Sequence, residues 1–109
     1  MTPLSLHILL SLVHGPSHGY GILKEIEDRT DGAGVPSTGA LYLALQRLER
    51  EGHVAPAEPP SDDVDARRRY WALTADGRRA AWQEVERMAS LLDDAAVRAL
   101  RVPGGGAGA

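Results

Sequence analysis

Three short helical patterns, a basic stretch rich in β-forming residues and a longer final helix predict a mainly α chain with a small β-hairpin (α+β). Glycine and proline punctuate these segments at Gly15-Pro16, Gly32 to Pro36 and Pro59-Pro60. The 109 residues suffice for one domain with one modest core. There is no cysteine, so disulfides and thiolate metal sites are excluded, and no phenylalanine, so the core is thin. No apolar run reaches membrane-spanning length, and the N-terminus lacks the regions of a secretion signal. A cytoplasmic location is therefore the expectation.

Leu4 to His14 is apolar at Leu4, Leu6, Ile8, Leu9, Leu10, Leu12 and Val13. The continuous run and its Gly15-Pro16 stop fit a short helix buried on most sides. Ser17 is the expected N-cap of a second helix, with Tyr20, Ile22, Leu23 and Ile26 on its inner side. Tyr20 is expected in the core with its hydroxyl at the surface. After the Asp31 to Pro36 loop, Ser37 can cap a third helix. Leu41, Ala44, Leu45 and Leu48 recur at i, i+3, i+4 and i+7 and form its buried stripe. Gly39, Leu43, Gln46, Arg47 and Arg50 fall opposite that stripe, with Tyr42 on the flank. Gly52 ends the helix.

His53 to Glu58 and Arg69 to Leu73 read as two strands joined by a polar turn, and the prolines restrict the first to an edge. Thr74 caps a final helix expected to run to about Leu100. Trp82, Val85, Ala89, Leu92, Ala96 and Ala99 recur along it at spacings of three and four, a shallow coiled-coil-like seam. The order predicts a winged helix-turn-helix over 1–73, a dimerisation helix over 74–101 and a disordered Gly/Ala tail over 102–109.

The net charge of −3 is unevenly spread. Residues 58–66 hold four acidic residues and no basic one, whereas 67–79 hold five arginines against Asp76. A local field of that kind is what a partner meets. A basic hairpin beside a small helix suits double-stranded DNA, the helix entering a groove and the arginines meeting phosphates. The candidate contacts are Ser37, Thr38, Gly39, Tyr42, Leu43, Gln46, Arg47 and Arg50 on the third helix, and Arg67, Arg68 and Arg69 on the wing. Arg47 has the donors for guanine, and Gln46 can pair with adenine. Other roles compete. The wing arginines can neutralise Asp62, Asp63 and Asp65, Tyr42 can pack against the second helix, and an outer-face Leu43 suits a thymine methyl or another protein.

His18-Gly19-Tyr20 with Ile22, Ser37 to Tyr42 with Leu45, Arg47, Leu48, Glu49, Glu51 and Gly52, and Arg68-Arg69-Tyr70 with Leu73-Thr74 and Gly77 stand in register. Together they resemble the PadR family of transcriptional regulators, in its short subfamily, over residues 4 to about 82. The resemblance implies a homodimeric repressor on an inverted-repeat operator. The third helix would lie in the major groove, the wing on the flanking backbone or minor groove, and the last helix in the dimer. It also implies a site for a flat, small aromatic effector between the dimer halves. Leu6, Leu10, Trp82, Val85, Met88, Ala89 and Leu92 are the candidates for ligand or dimer contact. The chain departs from the pattern at Gly21, where a larger residue is usual, at Trp71 in place of tyrosine, and at a wing tip with three aspartates and no glycine.

Enzyme chemistry finds little footing. His14 and His18 have the i, i+4 spacing of helical metal ligands, but Gly15-Pro16 breaks the helix between them. There is no glycine-rich phosphate loop and no nucleophile elbow. No metal or cofactor is implied.

Overall fold

The computed structural model describes residues 1–60 and 68–101. In chain order the described elements are α1 (Pro3–Leu10), β1 (Ser17–His18), α2 (Gly19–Thr30), α3 (Thr38–Arg50), β2 (Val54–Ala57), β3 (Tyr70–Leu73), α4 (Ala75–Ser90) and α5 (Ala95–Leu100). A 3-10 turn at Leu91–Asp93 separates the last two. Helices dominate and the strands form one antiparallel sheet, which agrees with the expected class. Among the described residues no helix is long and apolar enough to cross a membrane.

The Thr2 hydroxyl opens α1 by accepting the Ser5 N–H at 3.0 Å, and Pro3 in the first turn has no N–H to satisfy. The helix stops at Leu10, short of the expected His14. The Ser11 hydroxyl donates back to the His7 carbonyl at 2.8 Å, and turns continue to Gly15. Leu12 stays buried, so the apolar run goes on serving the core after the helix has ended. Arg29 of α2 ties the two helices together by donating to the His7 carbonyl and the Ser11 hydroxyl, each at 3.3 Å.

The expected two-stranded hairpin is a three-stranded sheet in the order β1-β3-β2. Ser17 pairs with Trp71 and His18 with Tyr70. This pairing corrects the capping expectation: Ser17 belongs to the strand, and His18 caps α2 by accepting the Gly21 N–H on Nδ1 at 3.0 Å. The Ser17 hydroxyl occupies the space a side chain at Gly21 would need. On the other side, β2 is an edge strand, where the missing N–H of Pro56 costs no ladder bond.

The core joins Ile8 and Leu9 of α1, Ile22 and Ile26 of α2, and Leu41, Leu45 and Leu48 of α3 with Val54 and Trp71 of the sheet. In a chain without phenylalanine, Trp71 at 2% exposure is the bulkiest of these groups, and Tyr42 meets it edge-on at 5.6 Å. Tyr20 is not among them, contrary to expectation: it is 67% exposed. The inner stripe of α2 runs through Gly19, Ile22 and Ile26, and a Cβ at Gly19 would come within 2.6 Å of the Tyr42 hydroxyl. The small residue lets α3 approach, and its neighbour Tyr20 is thereby turned outward.

Gly52, at φ +81°, carries the chain out of α3, and the His53 N–H returns to the Leu48 carbonyl at 2.9 Å. The start of α4 is pinned to this turn. The Thr74 hydroxyl donates to the Gly52 carbonyl at 2.6 Å and accepts the Gly77 N–H at 2.9 Å, and the Thr74 N–H reaches the His53 carbonyl at 3.2 Å. A Cβ at Gly77 would overlap that same His53 carbonyl. The long final helix is also corrected. It ends at Ser90, and Asp94, in extended conformation, caps a separate α5 through the Ala96 and Val97 N–H groups. An aspartate that can cap competes with continuing the helix.

Replacing Gly77 by Ala should therefore lower stability by about 1–3 kcal/mol. Gly39, helical with open space around it, should gain about 0.5–1 kcal/mol on the same change. Urea unfolding of the two variants beside the parent checks both signs.

Candidate nucleic-acid interface

Each turn of α3 presents residues in two directions, at about 100° per residue. Leu41, Ala44, Leu45 and Leu48 are buried, while Gly39, Leu43, Gln46 and Arg50 point away from them and are exposed. Leu43 is 68% exposed, an isolated apolar side chain on an otherwise polar face. At the start of α3 the Ser37 hydroxyl accepts the Ala40 N–H at 3.1 Å, with Thr38 exposed beside it. A serine so used still has its own proton to donate outward.

Two candidates stand apart from that face. Tyr42 is half-buried between Gly19 and Trp71, which fits the packing role. Arg47, also exposed, lies on the flank of α3 toward α1, where its guanidinium is 3.4 Å from the hydroxyl of the buried Ser5. Gln46 and Arg47 are adjacent in sequence but do not share a direction. The helical pattern could not separate them, because Arg47 falls between the outer face and the Ala44 side.

On the sheet, Arg68 and Arg69 take different partners. The Arg69 guanidinium lies 5.1 Å from the centre of the Trp71 ring, and Arg68 Nη1 lies 3.1 Å from His18 Nε2. Arg67, the acidic wing tip with Asp62, Asp63 and Asp65, and the 102–109 tail lie outside the described residues. His18 and Tyr20 were not foreseen as part of this surface. Their rings lie nearly parallel, 17° apart at 6.3 Å, and Tyr70 meets His18 edge-on at 5.2 Å. A two-residue strand leaves no periodic signal, so nothing in the sequence placed His18 beside the wing.

A second surface faces elsewhere. Between α1 and α4 runs a largely apolar groove of about 670 Å³, bordered by Leu6, Leu10, Val85, Met88, Ala89 and Leu92. Leu6 is buried at its floor, Leu10 and Val85 are half-buried, and Met88, Ala89 and Leu92 are exposed. Trp82, 62% exposed, borders an adjoining hollow of about 200 Å³ with Leu10, Val13 and Val85. Among the described residues no three His, Asp or Glu side chains converge to hold a metal ion.

A family model described as the transcriptional regulator PadR-like family matches residues 8–83. Among solved structures, a transcriptional regulator from Clostridium thermocellum is 28% identical. The match covers 91% of this chain and 90% of that one, with a TM-score of 0.73. A PadR family transcriptional regulator from Eggerthella lenta DSM 2243 is 26% identical, covering 91% of this chain and 82% of its own, at a TM-score of 0.68. Bacillus subtilis PadR in complex with operator DNA shares the fold at 19% identity and a TM-score of 0.65, over 77% of this chain and 47% of that one. A search of curated proteins returned no match.

Proposed function

This chain belongs to the transcriptional regulator PadR-like family, and from that membership we propose that it is a sequence-specific DNA-binding regulator acting as a homodimeric repressor. The carrying observation is the outward face of α3, where Leu43, Gln46 and Arg50 stand exposed beside a wing bearing Arg68 and Arg69. Gln46 and Arg50 have the paired donors or acceptors to read purine edges, and Leu43 suits a thymine methyl. The wing arginines supply charge for the backbone. A structure of a family member solved with operator DNA supports the same use of the fold.

The exposed apolar residues of α4 and of the 3-10 turn that follows it support a dimer. Trp82, Met88, Leu91 and Leu92 are each more than half exposed along one 11-residue stretch, beside the groove with α1. Large apolar residues exposed in that number mark an interaction surface, and a second copy presenting the same residues would cover it. A flat hydrophobic compound seated beside Trp82 would act as the releasing ligand. Exposed Leu43 also favours a second reading, in which α3 docks another protein. Salt separates the two, since phosphate binding weakens linearly on a log–log plot and an apolar contact does not.

Selection of duplexes from a random pool tests the assignment of α3. Gln46→Ala should relax preference at one position per half-site, a loss of about 1–3 kcal/mol of discrimination. Arg47→Ala should return the wild-type motif, since its guanidinium leans on Ser5. The reverse pattern would show that Arg47 swings out to read bases.

Sedimentation should give one species near twice the 11.7 kDa chain mass. Leu92→Asp should shift it toward the monomer and expose Trp82 to aqueous quenchers, read in a Trp71→Phe background. A wild-type monomer at micromolar concentration would rule the dimer out.

A further inference from the structure

His18 makes two polar contacts that a neutral imidazole cannot satisfy in the same way. Its Nδ1 accepts the Gly21 N–H at 3.0 Å and caps α2. An accepting Nδ1 carries no proton, so the proton of the neutral ring sits on Nε2. Arg68 Nη1 lies 3.1 Å from that Nε2, and a guanidinium has donors only. Two N–H donors therefore converge, and neither can accept from the other.

Both are held in place by the sheet. Its register sets His18 opposite Tyr70, whose ring braces the imidazole edge-on. Tyr20, exposed, lies nearly parallel to the same ring. Arg68 stands two residues before β3, so the strand fixes where it starts.

We propose that His18 and Arg68 form a phosphate clamp, in which the imidazole Nε2–H and the guanidinium donate together to one phosphodiester of duplex DNA. The proposal rests on the DNA-binding reading above and adds a contact from a residue outside α3 and the basic strand. Two converging donors, one of them cationic, lack an anionic oxygen, and phosphate supplies two side by side. The position fits a duplex held by α3, because Gly19, next to His18, packs on Tyr42 of that helix.

His18→Asn tests the clamp, since the Asn carboxamide oxygen can cap α2 while its NH2, on the shorter side chain, stops short of the Nε2 position. Its affinity for operator and unrelated duplexes should fall alike, by about tenfold, with the salt slope unchanged because the lost donor is neutral. Arg68→Gln should flatten that slope by ~0.9. In the double variant the two losses should fall short of additive, since the two donors hold one phosphate and each strengthens the other's contact with it. An unaltered unfolding midpoint for His18→Asn separates lost contact from lost fold. If that midpoint drops, Arg68→Gln, which leaves the cap alone, carries the test through its slope. In ¹⁵N spectra the free protein should hold the Nε2–H tautomer, and that proton should shift with duplex but not with an equal concentration of inorganic phosphate. Unchanged duplex affinity in His18→Asn, fully additive losses, an Nδ1–H tautomer, or an equal shift with inorganic phosphate would each overturn the clamp. Failure of the wild type to bind any duplex at low salt would instead overturn the DNA reading beneath it.

Discussion

The pose of α3 depends on the turn at Gly52-His53, because that is where the next structural layer is bolted on. Gly52 turns the chain in a left-handed conformation, and the Thr74 hydroxyl and N–H then grip the two carbonyls that this turn leaves pointing outward. Those carbonyls would otherwise need water at the end of a helix. Thr74 thus finishes α3 and starts α4 with one side chain. Gly77 completes the joint by letting the first turn of α4 sit directly on the His53 carbonyl. The angle between α3 and α4 is therefore fixed by hydrogen bonds and a contact with no slack. In the proposed dimer that angle, together with the α4 face, sets how far apart the two copies of α3 are held, which is the quantity an operator with two half-sites reads.

Charge in this chain works by placement and not by total. The sequence is net acidic, yet the two described wing arginines are each oriented by an aromatic group, Arg69 by Trp71 and Arg68 by the ring of His18. An exposed cation such as Arg69 gains only about 0.5–1 kcal/mol from a ring, too little to matter much for folding. Its effect is on freedom: an arginine already lying against a ring has fewer rotamers to lose on meeting a phosphate. Trp71 therefore has two faces in the design, filling the core and steering a surface charge. That double use explains why the largest core side chain sits in a strand of the wing and not in a helix.

Legibility followed from how far each signal extends along the chain. The stripe of α3 spans about two turns between a serine cap and a glycine stop, and those limits agree with the helix observed at Thr38–Arg50. The strands around Val54 and Tyr70 were legible from β-forming residues and proline. By contrast, β1 is two residues long, too short for any period, and its existence depends on Trp71 and Tyr70 fifty residues away. Tyr20 was misplaced because hydrophobicity ranked it above Gly19, whereas closeness of α3 favoured the residue without a side chain. The break at Asp94 escaped notice because aspartate fits a helix surface and an N-cap equally well, and only the local backbone chooses. At the interface, Gln46 and Arg47 read as equals because one residue step is only about 100°, and the presence of Ser5 on α1 separates them.

The break after Ser90 also changes how the proposed ligand and DNA would communicate. A continuous helix to Leu100 would have spread a dimer contact along six seam positions, three of them alanine. Ending α4 at Ser90 concentrates the large apolar groups at Trp82, Met88, Leu91 and Leu92, next to the groove with α1. A compound entering that groove would press on α1 and α4 together. From α1 the displacement would reach α3 through Ser5 and Arg47, and from α4 through Thr74 and Gly77. Both routes end on the helix proposed to read DNA. Coupling of this kind is reciprocal, so operator DNA would loosen the compound by the same factor that the compound loosens DNA. Because the Gly77 contact has no slack, movement of α4 would turn α3 as a body, changing the spacing of two half-sites before it changed any single base contact.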